Sequence, residues 1–214
     1  MLVSKQLQRM PRRLAILAGS FNPPTRAHLA LAEAALTFAD EVLFVLPKVF
    51  PHKEYVGASF DQRLRMLRTA TAENSKWSIG IADRGLFIEI AAEAKPHFPK
   101  SEFWFVCGRD AAERIVTWDY GHPTAFAKML DTFGLLVARR QGEYTPPPEL
   151  AERIKPLAFE SYDEHSSTEV RERIRQGGEW RHLVPESIAK EVEEIYRRAS
   201  AFIGGPNPIP TRED

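Results

Sequence analysis

The stretch "LAILAGSFNPPTRAHLALAEAALTFADEVLFVLP" (14–47) decides how the chain is read. Residues 14–19 form an apolar run suited to a fully buried strand. Residues 28–39 are rich in alanine and leucine at helical spacing, and 41–47 are a second apolar strand that Pro47 ends. Two apolar strands around one helix indicate a parallel sheet covered on both faces. The turn between the first strand and the helix carries unusual residues. Gly19 lets the backbone turn where a ligand approaches closely. Pro23 and Pro24 stiffen the turn in an extended form. Thr25 suits an N-cap, and His28 falls in the first helical turn, three residues on and therefore on the same face. Both point at a helix N-terminus, where free N–H groups and the helix dipole favour an anion. A plainer reading fits equally: Thr25 caps, the prolines turn, and His28 packs.

The alternation continues along the chain. "EVLFVLP" is followed by the loop "KVFPHKEYVGA", then Ser59 with Gln62 at capping-box spacing opens a helix over "RLRMLRTA". "WSIGIAD" reads as a strand, "LFIEIAAEAKPHF" as a helix and "EFWFVCG" (102–108) as a strand. A helix runs from Asp110 to about Trp118, followed by the short helical "TAFAKML" and the strand "TFGLLVARR". "STEVRERIRQG" is a helix that Gly177 closes, and "PESIAKEVEEIYRRASAF" is a last amphipathic helix. The fold expected is an open, mostly parallel, doubly wound α/β sheet, Rossmann-like, in one domain with a C-terminal helical segment. Its boundaries are set at 13–200, with an extension at 1–12 and a Gly/Pro-rich, floppy tail at 201–214. Ligands of such sheets sit at the carboxyl ends of the strands, near a switch in strand order. Residues 19–28, 47–53 and 108–118 fall at strand ends, and the segment around 165–171 is a fourth candidate.

Composition narrows the function classes. The chain has 214 residues, 43% apolar and 27% charged, with a formal net charge of zero. Binding to nucleic acid or to a membrane surface usually leaves a basic excess, so neither is favoured. Cys107 is the single cysteine, so no internal disulfide forms. It lies in an apolar strand and reads as buried and inert. No apolar run approaches a membrane span, and the chain reads as soluble and cytoplasmic. The familiar phosphate loops G-x-x-x-x-G-K-[ST] and G-x-G-x-x-G are absent.

A second stretch, "SSTEVR" (166–171), bears on the first. Ser166 and Glu169 are spaced as a capping box. Three hydroxyls exceed what one cap needs. Arg171 stands three residues past Thr168 and four past Ser167, on one helix face. Hydroxyls, free N–H groups and a guanidinium then converge into a cradle for a polyphosphate.

With both stretches in one chain, the sequence resembles the [HT]-x-G-H nucleotidylyltransferase superfamily, and more closely the nicotinate (or nicotinamide) mononucleotide adenylyltransferases. "GSFNPPTRAHL" matches the first motif and "SSTEVRERIRQG" the S-S-T-x-[IV]-R motif. "PHK" (51–53), "DQRLRML" (61–67), "CGRD" (107–110), Trp118 and "VARRQG" (137–142) follow in the expected order. The resemblance spans roughly 13–200. It implies transfer of the adenylyl group of ATP to a pyridine mononucleotide, with Mg²⁺ accompanying ATP. It implies His28, Thr25 and Arg171 as catalytic residues. Gly19, Ser20, Phe21, Asn22, Thr25, His28, Ser166, Ser167, Thr168 and Arg171 would bind ATP, and Lys53, Gly108, Asp110, Trp118 and Arg139 the acceptor. It implies no dedicated metal ligands, no nucleic-acid partner, and room for a homo-oligomer.

This chain departs from the pattern at four places. Thr25 stands where many members carry His, Ala27 where Gly is usual, and His165 where an aliphatic residue usually precedes S-S-T. "LFIEIA" (86–91) replaces a Tyr/Thr-rich segment that helps hold the pyridine ring, which bears on the acceptor more than on the adenylyl donor. Two alternatives stay open: the same chemistry with another phosphomonoester acceptor, and a nucleotide-binding protein without turnover. The intact Thr25, His28, Ser167, Thr168 and Arg171 speak against the latter.

Overall fold

A computed structural model of the chain describes residues 1–3, 10–49, 57–117, 122, 124–138, 144–158 and 166–203. Among them seven strands form one sheet: β1 (Leu2–Val3), β2 (Arg13–Ala18), β3 (Glu41–Pro47), β4 (Trp77–Ala82), β5 (Glu102–Gly108), β6 (Phe133–Ala138) and β7 (Ile154–Leu157). The order is β1-β4-β3-β2-β5-β6-β7. All pairs are parallel except β1 with β4. The helices are α1 (Arg26–Ala35), α2 (Phe60–Thr71), α3 (Phe87–Ala94), α4 (Arg109–Thr117), α5 (Ala125–Leu130), α6 (Ser167–Gln176) and α7 (Glu186–Ile203).

The continuous apolar runs are explained by burial on both faces. Along a strand, successive side chains point to opposite sides. Leu14, Ile16, Leu43, Val45, Phe103 and Phe105 therefore join one core with Ile90 and Ala94 of α3 and Leu130 of α5. Ala15, Leu17, Val42, Phe44 and Val106 join the other, with Ala32 and Ala35 of α1 and Leu67 of α2. A third cluster lies away from the sheet, where α2, α6 and α7 pack through Met66, Val170, Ile174, Ile188, Val192 and Tyr196. The expected C-terminal helical segment is thus a small helical layer mounted on α2.

The Ser59 box forms as expected, Gln62 N–H donating to Ser59 Oγ at 3.2 Å and Ser59 N–H to Gln62 Oε1 at 2.8 Å. Gly177 closes α6 at φ 72°. Two strands had no signal in the sequence. β7 contains Pro156, which argues against an interior strand, but β7 is the sheet edge, where proline is tolerated. β1 has two residues, too few for any periodicity. It brings part of the 1–12 extension into the sheet, where the N-terminal ammonium meets Glu93 at 3.1 Å. No helix among the described residues is long and apolar enough to cross a membrane.

The chain builds β2, β3 and β4 outward in one direction, then returns to lay β5, β6 and β7 on the other side of β2. The order therefore reverses between β2 and β5, and in sheets of this kind the ligand crevice is expected there, at the carboxyl ends of the strands. Ala18 and Gly108 end those two strands, so residues 19–28 and the start of α4 flank the crevice.

Gly134 in β6 is demanded by packing. A Cβ there would lie 2.4 Å from the Trp104 ring and 2.9 Å from the Arg153 carbonyl oxygen. Neither neighbour yields easily, since Trp104 is 4% exposed and the other atom is backbone. Gly134→Ala is expected to destabilise the fold by about 1–3 kcal/mol through overpacking. A thermal melt equal to wild type would show that the sheet relaxes around it.

Candidate active site

The loop after β2 is built from behind. Gly19 N–H donates to the Val45 carbonyl at 3.1 Å, tying the loop's start to β3. Phe21 sits at φ 44°, a left-handed conformation that costs a non-glycine residue energy. Burial of its ring offsets that cost: it is 1% exposed and stands edge-on to His28 at 5.1 Å. The same ring explains Gly19, where a Cβ would stand 3.1 Å from Phe21 Cζ. The Asn22–Pro23 peptide is cis.

Three carbonyls of this loop are held by donors from other elements. Ser20 O accepts from Arg63 of α2 at 3.0 Å, Asn22 O from Arg171 of α6 at 2.6 Å, and Pro23 O from Ser167 Oγ at 2.7 Å. The two sequence motifs, separated by some 140 residues, are in direct contact.

At the other end of the loop Thr25 caps α1. His28 takes the place that Glu or Gln holds in a capping box. Thr25 N–H donates to His28 Nδ1 at 3.0 Å, and Thr25 Oγ1 lies 2.7 Å from the same nitrogen. A backbone N–H can only donate, so Nδ1 is the acceptor and the neutral ring carries its proton on Nε2. Thr25 is fully buried, with its hydroxyl turned to His28. The position expected to assist at a phosphate therefore acts on the histidine. His28 keeps part of its surface exposed. Protein nevertheless surrounds the ring, and desolvation lowers its pKa from the usual 6.5 to about 4. At neutral pH His28 is an uncharged N–H donor.

This has a consequence for pH dependence. The unfolded imidazole titrates near 6.5 and the folded one near 4. Between these values the unfolded chain binds more protons, so the stability His28 contributes is full above pH 6.5 and is lost as pH falls through 4. Protonating Nδ1 would also set two donors, the ring and Thr25 N–H, against each other. The acid limb of kcat/KM assigned to His28 is expected near pH 4. A limb near 6.5 that vanishes in His28→Gln would show that the ring is freely solvated.

α6 opens with Ser166 as N-cap, its Oγ accepting from Glu169 N–H at 3.0 Å. The Glu169 carboxylate binds Arg173 Nε at 2.6 Å. Thr168 is exposed, and its Oγ1 accepts from Arg171 Nη2 at 3.3 Å. Arg171 Nη1 also reaches the Ser167 carbonyl at 3.1 Å. Ser167, Thr168 and Arg171 thus share one face, as the spacing predicts.

Across the crevice, Gly108 ends β5 where a Cβ would meet nothing within 4 Å. Asp110 is exposed in the first turn of α4. Lys53, Trp118 and Arg139 lie outside the described residues. In the departing segment, Leu86 is the N-cap of α3 and 50% exposed. Phe87 stacks on Phe105 at 4.2 Å and belongs to the core. Cys107 is buried, and desolvation pushes its thiol up to about 12, in keeping with an inert residue.

Sequence reasoning passed over two residues of this site. Arg63 is 2% exposed and lies under the loop. Its signal was an arginine on the apolar stripe of α2, beside Leu64, Met66 and Leu67. Tyr196 is 3% exposed, and its hydroxyl donates to Asn22 Oδ1 at 2.5 Å. Nothing distinguished it from the other apolar-stripe residues of α7.

The convergent groups are hydroxyls, an imidazole N–H and a guanidinium at two helix N-termini. Such a set binds phosphate oxygens. Among the described residues no group of three or more His, Cys, Asp or Glu side chains could hold a metal ion.

Residues 16–173 match the model of the cytidylyltransferase-like family. A protein of Thermus thermophilus called "probable nicotinate-nucleotide adenylyltransferase" is 31% identical, across 86% of this chain and all of the relative. One of the same description from Exiguobacterium sibiricum is 29% identical, across 85% of this chain and 96% of the relative. Among solved structures, the Plasmodium falciparum nicotinic acid mononucleotide adenylyltransferase complexed with NaAD superposes with a TM-score of 0.61. That pair is 18% identical, across 84% of this chain and 96% of that one. The last likeness is one of fold.

Proposed function

Since the chain belongs to the cytidylyltransferase-like family, in its nicotinate-nucleotide adenylyltransferase branch, we propose that it joins ATP and nicotinate mononucleotide. The products are deamido-NAD and pyrophosphate. An oxygen of the acceptor's phosphate attacks the α-phosphorus of ATP, and the bond from that phosphorus to the pyrophosphate oxygen breaks. The protein supplies no nucleophile. Its work is alignment of two phosphates and stabilisation of the charge that develops between them.

His28 donates from Nε2 to an α-phosphate oxygen. Thr25 holds that ring in the right tautomer and orientation, acting through His28. Thr168, Arg171 and the backbone N–H of Ser167, whose hydroxyl is given to Pro23 O, hold the β- and γ-phosphates that leave, beside the loop of Gly19, Ser20, Phe21 and Asn22, with Ser166 capping the helix that presents them. Lys53, Gly108, Asp110, Trp118 and Arg139 serve the acceptor, with Trp118 on the pyridine ring. Mg²⁺ brought with ATP would supply charge neutralisation on the phosphates, while the hydroxyl, N–H and guanidinium donors of this site would hold the phosphate oxygens themselves.

The observation that supports this reading is the contact of Ser167 and Arg171 with the 22–23 loop, which brings the N-termini of α1 and α6 together. The test is pyrophosphate release from ATP and Mg²⁺ with a panel of phosphorylated acceptors. Release is expected with nicotinate mononucleotide, with the nicotinamide form as the comparison. Release with a different phosphomonoester alone would replace the acceptor. ATP binding without release for any acceptor would overturn the enzyme reading.

A further inference from the structure

We infer that Tyr196, on the C-terminal helix, is a positioning residue for adenylyl transfer, setting the phosphate-binding loop through the side chain of Asn22. The inference rests on the adenylyltransferase reading and adds a residue to it that no motif contains.

The geometry is specific. The Tyr196 hydroxyl donates to Asn22 Oδ1 across 174 residues of chain. Both residues are buried, at 3% and 5% exposed. Asn22 follows Phe21, which is strained at φ 44°. Its own carbonyl is held by Arg171, while Arg63 holds Ser20 O. With Ser167 Oγ on Pro23 O, the loop is therefore held from behind by three helices, α2, α6 and α7. Tyr196 alone among these contacts grips a side chain rather than the backbone.

The ring has a second contact. Gly57, at φ 104°, passes so close that a Cβ there would lie 2.9 Å from Tyr196 Cε1. Ring and hydroxyl thus have separable duties, and Tyr196→Phe removes only the second. Burial raises the phenol pKa well above its usual value, although the Arg171 and Arg63 guanidiniums act in the opposite direction. The hydroxyl remains a proton donor at every working pH. Without it, Asn22 Oδ1 loses a buried donor and the loop is free to shift by fractions of an ångström, a displacement that matters for phosphate alignment.

Tyr196→Phe is expected to raise KM for ATP and lower kcat, with kcat/KM for ATP falling about tenfold, while KM for the acceptor stays within error. A merely structural role would lower the melting temperature and the active fraction and leave KM for ATP untouched. Such a result would overturn the inference. The route through Asn22 is tested by a double-mutant cycle. Tyr196→Phe added to Asn22→Ala should cost little more than Asn22→Ala alone, whereas full additivity would show that Tyr196 acts elsewhere.

The two readings fail differently. If wild type binds ATP but releases no pyrophosphate, the enzyme reading falls and Tyr196 is judged on ATP affinity by calorimetry, where the same fall and the same non-additivity are expected. An unchanged ATP affinity in Tyr196→Phe sinks the inference whatever the enzyme does. A wild type that binds no ATP sinks both.

Discussion

His28→Ala lowers turnover by about 10²-fold or more in a protein that still folds, the loss expected when one donor to a developing phosphate charge is removed. The size follows from how the ring is prepared. Thr25 N–H occupies Nδ1 at 3.0 Å, so the only proton of the neutral ring is on Nε2. With a pKa near 4, the ring holds that state across the physiological range. In the proposed role it would act already oriented and without proton exchange. Alanine also leaves the Thr25 N–H without its partner, which costs about 0.5–2 kcal/mol of the kind lost with a helix cap. Turnover is therefore measured well below the melting temperature of the variant. Thr25→Val is the companion: it removes the hydroxyl but keeps the N–H to Nδ1 bond, so the tautomer survives and the loss should be clearly smaller than for His28→Ala. Near-normal turnover in His28→Ala would take His28 out of the mechanism. Equal losses in both variants would mean that the hydroxyl, and not the backbone, fixes the ring.

Arg171→Lys weakens ATP binding although the charge is kept, by about 10- to 100-fold if two charge-assisted bonds are lost. Arg171 uses its planar fork in two directions at once. Nη1 serves Asn22 O and Ser167 O at 2.6 and 3.1 Å, and Nη2 serves Thr168 Oγ1 at 3.3 Å. An ammonium group cannot span these positions. Lysine therefore either holds the loop or turns to the phosphates, and both motifs loosen together. Calorimetry with Mg²⁺ and ATP reads the affinity directly. An affinity equal to wild type would show that Arg171 serves the loop's backbone alone and contributes nothing to phosphate.

What the sequence by itself determined was local. The apolar runs of β2, β3 and β5 specify strands buried on both faces, since no half-exposed strand tolerates "AILA" or "LFVL". Thr25, Ser59, Ser166 and Gly177 mark helix ends, because caps satisfy backbone groups within a few residues. Two helix N-termini with hydroxyls, a histidine and an arginine at one-face spacing mark the phosphate chemistry. Tertiary structure decided what depends on distant neighbours. The reversal of strand order between β2 and β5 creates the crevice, and no stretch of sequence encodes it. β7 became a strand in spite of Pro156 because it lies at an edge. Thr25 is fully buried with its hydroxyl on His28, a contact that its N-cap position alone does not reveal. Arg63 and Tyr196 looked like stripe residues of α2 and α7, since a helical pattern tells which face is inward and not what the inward face meets. Only the packing of α2, α6 and α7 around one loop showed that both reach the carbonyl and the amide of the same bend.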